Sequence, residues 1–348
     1  MLRNRTRLLA LSTLALTLVP ALVACGTSGG GGATSTAKKI CLVTDIGGLN
    51  DRGFNALANQ GLEKAKTDFG VVGSVTESKS GNDYVTNLTN CVTQGNDLTI
   101  GVGFLMQQAI GTVAAQFPDK KFAIIDGTGT DDKGNDLNQS NVTGLFFKEQ
   151  EAGALVGVIA GMLEKTPSTP LKGTKTISAV GGISIPPVNR YIAGYQWGAG
   201  QIDPSIKVLI GYSNEFADAA KCKPVAESQI AQGSEIVFQV AGGCGLGALQ
   251  AAGDKGVYSI GVDTDQKTAN SSVIASAVKR VDIATYTAIK NVVNGTANPH
   301  AQTFGLNNDG VGFAEGNIAL PADITAKVTD ISNQIKAGTI TVPDTIKA

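Results

Sequence analysis

The chain has 348 residues, which is long enough for two domains with full cores. Its 28 basic and 29 acidic residues leave a formal net charge of −1, so the chain lacks the basic field that binds nucleic acid. The single histidine, His300, follows Asn-Pro in a loop-like segment, which argues against a histidine-based catalytic site and against a zinc site.

The N-terminal 25 residues predict export. Three arginines precede an uncharged run that ends in Leu-Val-Ala-Cys at Cys25. This ending resembles the lipobox of bacterial lipoproteins, in which the cysteine becomes the acylated first residue. We therefore predict a signal peptide over 1–24, lipidation at Cys25 and a flexible Gly/Ser-rich tether over 25–38. An uncleaved anchor, or an ordinary signal with an accidental cysteine, is the alternative.

After the tether, short apolar runs alternate with helix-length amphipathic runs, which predicts βαβ units and a parallel sheet. The first half is predicted to contain strands 40–44, 71–77, 98–104, 121–125 and 142–147 with helices 55–69, 83–93 and 107–117. The pattern restarts with helix 149–163, followed by strands 176–180, 207–212, 235–240 and 257–262 and helices 188–200, 217–232 and 246–254. An extended run over 273–278 and helices over 282–293 and 324–337 follow. The chain is therefore predicted to form two similar α/β halves.

Four cysteines remain once Cys25 is set aside. Cys41 and Cys91 lie in the first half, and Cys222 and Cys244 lie in the second. An even number in an exported chain permits disulfides in three possible pairings. The most local pairing joins the two cysteines within each half, and four buried thiols are the alternative.

Polar residues or glycines follow several of the predicted strands, among them Asp45, Asp126, Asn214, Gly243 and Asp263. Ligands of open parallel sheets bind beyond the carboxyl ends of the strands. Two such sheets facing each other would form a cleft between domains, which is a common location for a small-molecule site.

The segment from Asp45 to Asn55 is the densest functional candidate. Its glycines permit close approach to a ligand, Asp45 and Asn50 offer hydrogen bonds, and Asp51 is placed to cap the next helix. Phe54 stands where the first turn of a helix is usually polar. It either faces the cleft or forms a hydrophobic staple beside the cap.

A glycine-rich segment over 241–248 follows a predicted strand and opens a helix. From Gly243 it matches G-x-G-x-x-A, and Asp263 lies twenty residues later, as in the dinucleotide-binding fingerprint. The central position of the motif and the lack of a plausible proton-transfer residue argue against an NAD enzyme. The same chemistry, a glycine-rich backbone beside a carboxylate, suits a ribose diol.

Six segments in order resemble the basic membrane protein family of PnrA-like, nucleoside-binding lipoproteins that serve ABC importers. They are DIGGLNDRGFN, FAIID, NVTGLFFKEQEAGALVGVIAGML, VGGISIPPVNRYIAGYQWGA, IVFQVAGGCGLGALQAAGDKGVYSIGVDTDQ and SAVKRVD. The resemblance implies an α/β type I periplasmic-binding-protein fold, in which two doubly wound parallel-sheet lobes flank a ligand cleft and are joined by three crossovers. Lobe 1 is expected over 39–148 plus 276–303, and lobe 2 over 149–275 plus 304–348.

The resemblance also implies a ligand-binding set. In the family an aromatic pair sandwiches the base, and Phe54 and Phe216 match that pair. Asp45 and Asp126 match carboxylates at the edge of the base. Asn50 stands where the family often has an acid, which leaves the base preference open.

The other half of the set concerns the sugar. Asp263 and Lys279 match the residues that hold the ribose, and Gly243 is expected to contribute its backbone. Asn55 completes the expected set of binding residues. No catalytic residue, metal or cofactor is expected.

The implied function is that of a monomeric, lipid-anchored protein on the extracytoplasmic face of the cell membrane. It would capture a nucleoside, with a purine expected, and deliver it to the permease of an ABC transporter. Two other classes remain open: an exported enzyme that processes nucleosides or NAD, and a two-lobe sensor for another small ligand such as a sugar.

Overall fold

The computed structural model describes residues 37–347. The predicted signal peptide, Cys25 and most of the predicted tether lie outside these residues. Residues 37–347 form two six-stranded sheets with helices on their faces. Over this part of the chain, every helix is too short or too polar to cross a membrane.

The first lobe is a parallel sheet in the order β11-β5-β4-β3-β1-β2. Its strands are β1 (Lys39–Val43), β2 (Val72–Thr76), β3 (Leu98–Val102), β4 (Lys121–Ile125), β5 (Val142–Phe147) and β11 (Gln302–Phe304). Its helices are α1 (Phe54–Phe69), α2 (Tyr84–Thr93), α3 (Gln107–Gln116) and α8 (Val281–Val293). The inner strands are buried on both faces, which explains their continuous apolar runs.

The second lobe repeats this plan in the order β12-β10-β9-β8-β6-β7, with only β12 antiparallel within that sheet. Its strands are β6 (Thr176–Gly181), β7 (Lys207–Tyr212), β8 (Ile236–Val240), β9 (Tyr258–Asp263), β10 (Val273–Lys279) and β12 (Val311–Glu315). Its helices are α4 (Glu149–Lys165), α5 (Pro186–Ile202), α6 (Ala219–Ala231), α7 (Gly245–Lys255) and α9 (Ala322–Lys336). The predicted α/β class with two parallel-sheet lobes is confirmed.

Helices α4 and α5 pack against each other at unusually close range, because glycines face backbone at the contact. A Cβ added to Gly153 or Gly157 of α4 would collide with a carbonyl oxygen of α5. Additions at Gly194 or Gly198 of α5 would collide with carbonyl oxygens of α4. The close contact buries α4 along most of its length and fixes the position of α5 beside the second sheet.

The chain passes between the lobes at three places. It crosses after β5, after β10 and between β11 and β12, since α8 packs on α1 and α9 packs on α4. The sequence boundary expected at 275/276 falls inside β10, which pairs with the second sheet as far as Lys279. The crossing therefore comes at Arg280, because the antiparallel pairing with β12 holds the strand in lobe 2 up to that point.

Both local cysteine pairs are joined in the structure. The sulfur atoms of Cys41 and Cys91 lie 1.98 Å apart, and those of Cys222 and Cys244 lie 2.01 Å apart. All four residues are buried in apolar clusters, one in each lobe. Each bond stays within its lobe and leaves the crossings free.

Candidate functional site

A cavity lies between the lobes at the carboxyl ends of both sheets. It encloses about 580 Å³ of space between the atoms of its lining, part of it open to solvent. Its polar and charged lining residues are Asp45, Asp51, Asn55, Asp126, Tyr191, Asp263 and Lys279. Its apolar lining includes Phe54, Phe104, Leu105, Ile185, Val188, Phe216, Val240 and Val262.

Most of the residues expected from the sequence meet at this cavity. Asp45, Phe54, Asn55, Asp126, Phe216, Asp263 and Lys279 line it. Phe54 comes from the first lobe and Phe216 from the second, so aromatic side chains reach the cavity from both sides.

Two expected residues do not line the cavity. Asn50 is exposed, because the turn that contains it directs the next residue, Asp51, inward. Gly243 is buried where the lobes touch, and a Cβ built on it would lie 3.5 Å from the Cα of Asp51. Its neighbour Gly242, with φ +54°, contributes to the cavity instead.

Two carboxylates hold the segment from Asp45 to Asn55, here called the first binding segment. Asp51 Oδ1 accepts hydrogen bonds from the N–H groups of Gly53 (3.0 Å) and Ala56 (3.2 Å), and its Oδ2 accepts from the N–H of Asn55 (2.6 Å). Asp45 Oδ1 accepts from the side-chain amide of Asn55 at 2.8 Å. Asp51 therefore caps α1, as the sequence predicts, and Asn55 connects the two acids.

A buried lysine that lines the cavity forms ion pairs with a carboxylate of each lobe. Lys279 Nζ lies 2.6 Å from Asp126 Oδ2 and 2.9 Å from Glu149 Oε1, and it lies 5.1 Å from the ring centroid of Phe54. Burial acts to lower the pKa of Lys279, but the neighbouring carboxylates outweigh it and the pKa is raised. Lys279 therefore remains a cation in this site.

The acids around the lysine resist ionisation. Burial raises the pKa of Asp45 to about 6 and that of Asp126 to about 6, although Lys279 opposes the shift at Asp126. Burial also raises the pKa of Asp263 to about 7. These groups lose hydration without gaining enough hydrogen bonds within the chain to replace it.

Asp126 leaves one acceptor free. Among the residues that the structure describes, its Oδ1 is buried and has no hydrogen-bond partner. Asp126 and Asp263 both adopt the left-handed backbone conformation, with φ +67° and +65°, at the ends of β4 and β9. Sparsely populated conformations of this kind cluster at functional sites.

Tyr191 is a site residue that sequence reasoning missed. It lies on α5, and its hydroxyl donates to Asp263 Oδ1 at 3.2 Å. Burial raises its pKa well above 10, so it is a neutral donor. The only signal was its place four residues after the Pro-Pro that opens the helix, which indicates a first turn near the sheet edge.

The lobes also touch beside the cavity. The side-chain amide of Gln266, in the second lobe, donates to the carbonyl oxygen of Arg52 in the first binding segment at 3.3 Å. A Cβ built on Gly53 would lie 3.5 Å from Asp263 Oδ2. The cleft is therefore closed in this structure.

Comparison with known proteins agrees with this arrangement. A family model described as "ABC transporter substrate-binding protein PnrA-like" matches residues 38–346. The chain is 32% identical to the ABC transporter nucleoside-binding protein BmpA of Lactococcus lactis, over 97% of this chain and 99% of that protein. It is 36% identical to an uncharacterised lipoprotein of Pyrococcus abyssi, over 88% of this chain and 76% of that protein.

A solved structure shows the same fold. A solute-binding protein of an ABC transporter system from Aeropyrum pernix superposes with a TM-score of 0.79 at 27% identity, over 88% of this chain and 94% of that one. Proteins of this kind bind a solute for a transporter and are not enzymes. The family match, the lobes and the cleft agree: the chain belongs to the PnrA-like family of ABC-transporter substrate-binding proteins.

Proposed function

We propose that this protein captures a nucleoside between its lobes and delivers it to an ABC permease, while Cys25 carries a lipid that holds it outside the cell membrane. The observation that carries the ligand assignment is the buried acceptor Asp126 Oδ1, which has no partner among the described residues and lies in a cavity that Phe54 and Phe216 line from opposite lobes. A nucleobase has N–H groups that can donate hydrogen bonds to such a carboxylate, and it has two faces on which aromatic rings can stack.

The remaining groups suit a ribose. Asp263 is held by Tyr191 at one oxygen, which supports a role for its carboxylate in accepting hydrogen bonds from a sugar diol. Lys279 uses two of its three N–H donors on Asp126 and Glu149, which leaves one for a ligand oxygen. A nucleoside satisfies both parts of the cavity at once, and the nucleoside-binding relative supports this choice.

The carboxylates also argue against a phosphorylated ligand. Asp45, Asp51, Asp126 and Asp263 line the cavity, and within residues 37–347 the cation that lines it is Lys279, which is already paired twice. A phosphate would bring further negative charge beside these acids, and Lys279 has only one N–H donor left to receive it. We therefore propose uncharged nucleosides, not nucleotides, as the substrate class.

Calorimetry tests this function. The mature protein, titrated with adenosine, guanosine, inosine, cytidine and uridine, should show saturable binding to at least one, with purines expected to bind most tightly. The matching 5′-monophosphates and simple sugars are the controls. The absence of binding by any nucleoside, or tighter binding of a sugar, would reject the proposal. Release of free hypoxanthine from inosine would point to an enzyme instead.

A further inference from the structure

The Cys222–Cys244 disulfide joins two segments that follow cavity-lining residues. Cys222 is in the first turn of α6, and Cys244 immediately precedes α7. The residues before each helix line the ligand space, Phe216 before α6 and Gly242 before α7. The bond therefore connects the segments that follow two cavity-lining loops.

The Phe216 loop, residues 213–218, is attached at its start to the end of β6, where the Ser213 N–H donates to Gly181 O at 2.9 Å. Its Asn214 N–H donates to Gly182 O at 3.0 Å, next to the edge strand β7. The carboxylate of Glu215 accepts from the N–H groups of Phe216 and Ala217, so those bonds stay within the loop. The Phe216 ring packs beside Gly182, where an added Cβ would collide with it, and the rest of the loop takes further support from another segment.

That support comes from the segment that carries Cys244. The N–H of Cys244 donates to the carbonyl oxygen of Phe216 at 2.9 Å. Ser213 Oγ, at the other end of the loop, lies 3.2 Å from Cys222 Sγ and 3.5 Å from Cys244 Sγ. The disulfide is thus in contact with the loop at one end and fixes its hydrogen-bond partner at the other.

The Cys41–Cys91 disulfide provides an internal comparison. It joins β1 to α2 within an apolar cluster of the first lobe. Neither cysteine lines the cavity. Asp45, four residues after Cys41, does line it, but its carboxylate is held by Gly47 and Asn55 and not by the segment that carries Cys91. Both bonds are therefore buried disulfides, but only the Cys222–Cys244 bond contacts a loop that lines the cavity.

We propose that the Cys222–Cys244 bond positions the Phe216 loop and the Gly242 turn for ligand binding, whereas the Cys41–Cys91 bond serves stability alone. This proposal rests on the proposed function for its affinity readout. Without the bond, the loop is ordered only when the ligand arrives, and the ordering cost reduces affinity.

The test compares two double variants, Cys222→Ala/Cys244→Ala and Cys41→Ala/Cys91→Ala. With the nucleoside that binds the unmodified protein most tightly, the first variant should bind about tenfold more weakly, equivalent to immobilising one or two side chains. The second should bind within about twofold of the unmodified protein by the same reasoning. Both should unfold at lower denaturant concentrations, because each has lost a cross-link.

Hydrogen exchange of the ligand-free proteins gives a second readout that does not depend on the ligand. In the first variant, exchange should be faster at the amides of residues 213–218 and at the amide of residue 244. In the second variant, the exchange rates of these amides should not change. Equal affinities in two folded variants, or equal losses in both, would overturn the proposal. If no nucleoside binds, the proposed function fails and the exchange pattern alone decides on the positioning role.

Discussion

Asp263 and Phe216 approach the cavity with different chemistry, so substitutions there should separate the sugar from the base. At pH 8, above its pKa of about 7, Asp263 is a carboxylate. Replacing it with Asn retains a residue that tolerates φ +65° but removes the charge. Charged hydrogen bonds contribute about 1.5–3 kcal/mol, so Asp263→Asn should weaken a nucleoside by one to two decades and its free base far less.

Phe216→Ala is the matched comparison. Loss of stacking, about 1–3 kcal/mol per base, should weaken the nucleoside and the free base by similar factors. Calorimetry of both variants with one nucleoside and its base gives a two-by-two test. The proposed orientation of the ligand is wrong if Asp263→Asn weakens the base as much as the nucleoside.

Much of the site was predictable residue by residue, because strand ends and the segment after β1 are visible in the sequence. The choice between Asn50 and Asp51 was not, since it depends on which side chain the turn directs inward. Asp51 combines a helix cap with a place at the cavity, and the sequence alone favoured only the cap. Tyr191 was missed for a related reason: its place after Pro-Pro indicates the first turns of a helix, but it does not show which residue of those turns reaches the ligand.

At the scale of elements, the close contact of α4 and α5 holds Tyr191 at the cavity. Gly194→Ala would place a methyl group against the carbonyl oxygen of Gln150 on α4. The helices must then separate, which we expect to lower the free energy of unfolding by about 1–3 kcal/mol. Because Tyr191 moves with α5, nucleoside affinity should fall as well.

Gly200→Ala on the same helix is the control. A Cβ at Gly200 would have no neighbour within 4 Å among the described residues, and alanine is the better helix former. Stability should therefore stay equal or rise by up to about 1 kcal/mol. Urea unfolding of both variants, with calorimetry on the folded proteins, measures the contrast. Similar behaviour of the two variants would show that the close contact is unimportant.

The elements themselves were largely predictable from apolar periodicity. Strands β4 and β5 begin and end at the predicted residues, and the predicted helices differ from the observed ones by a few residues at their ends. The extended run before α8 was harder to assign, because a strand and a segment that crosses between the lobes look alike in sequence. Only the pairing with β9 and β12 shows that Val273–Lys279 belongs to the second sheet throughout.

For the whole molecule, the buried acids predict how stability varies with pH. The pKa values of Asp45, Asp126 and Asp263 are raised to about 6, 6 and 7 by burial, from an ordinary value of 3.8. The folded protein therefore keeps protons that the unfolded chain releases between about pH 4 and pH 7. The free energy of unfolding should fall as pH rises through this window.

Urea unfolding of the ligand-free protein should thus give a lower midpoint at pH 8 than at pH 5. The Asp45→Asn/Asp263→Asn variant cannot titrate at two of these positions and should show a smaller difference. Part of the slope should remain, because burial also raises the pKa of Glu164 to about 7 in the second lobe. A midpoint that increases from pH 5 to pH 8 would contradict this assignment.

The three crossings between the lobes also set the order in which the fold can be completed during synthesis. α8 and β11 finish the first lobe, yet the ribosome makes them after nearly all of the second. A chain that stops before Gln302 leaves the edge of β5 unpaired, and one that stops before Val281 also exposes the face of α1 around Gly61. Uncovered strand edges invite pairing with other chains. Neither lobe is a contiguous stretch of sequence, so a single-lobe protein can be made only by splicing separate pieces together.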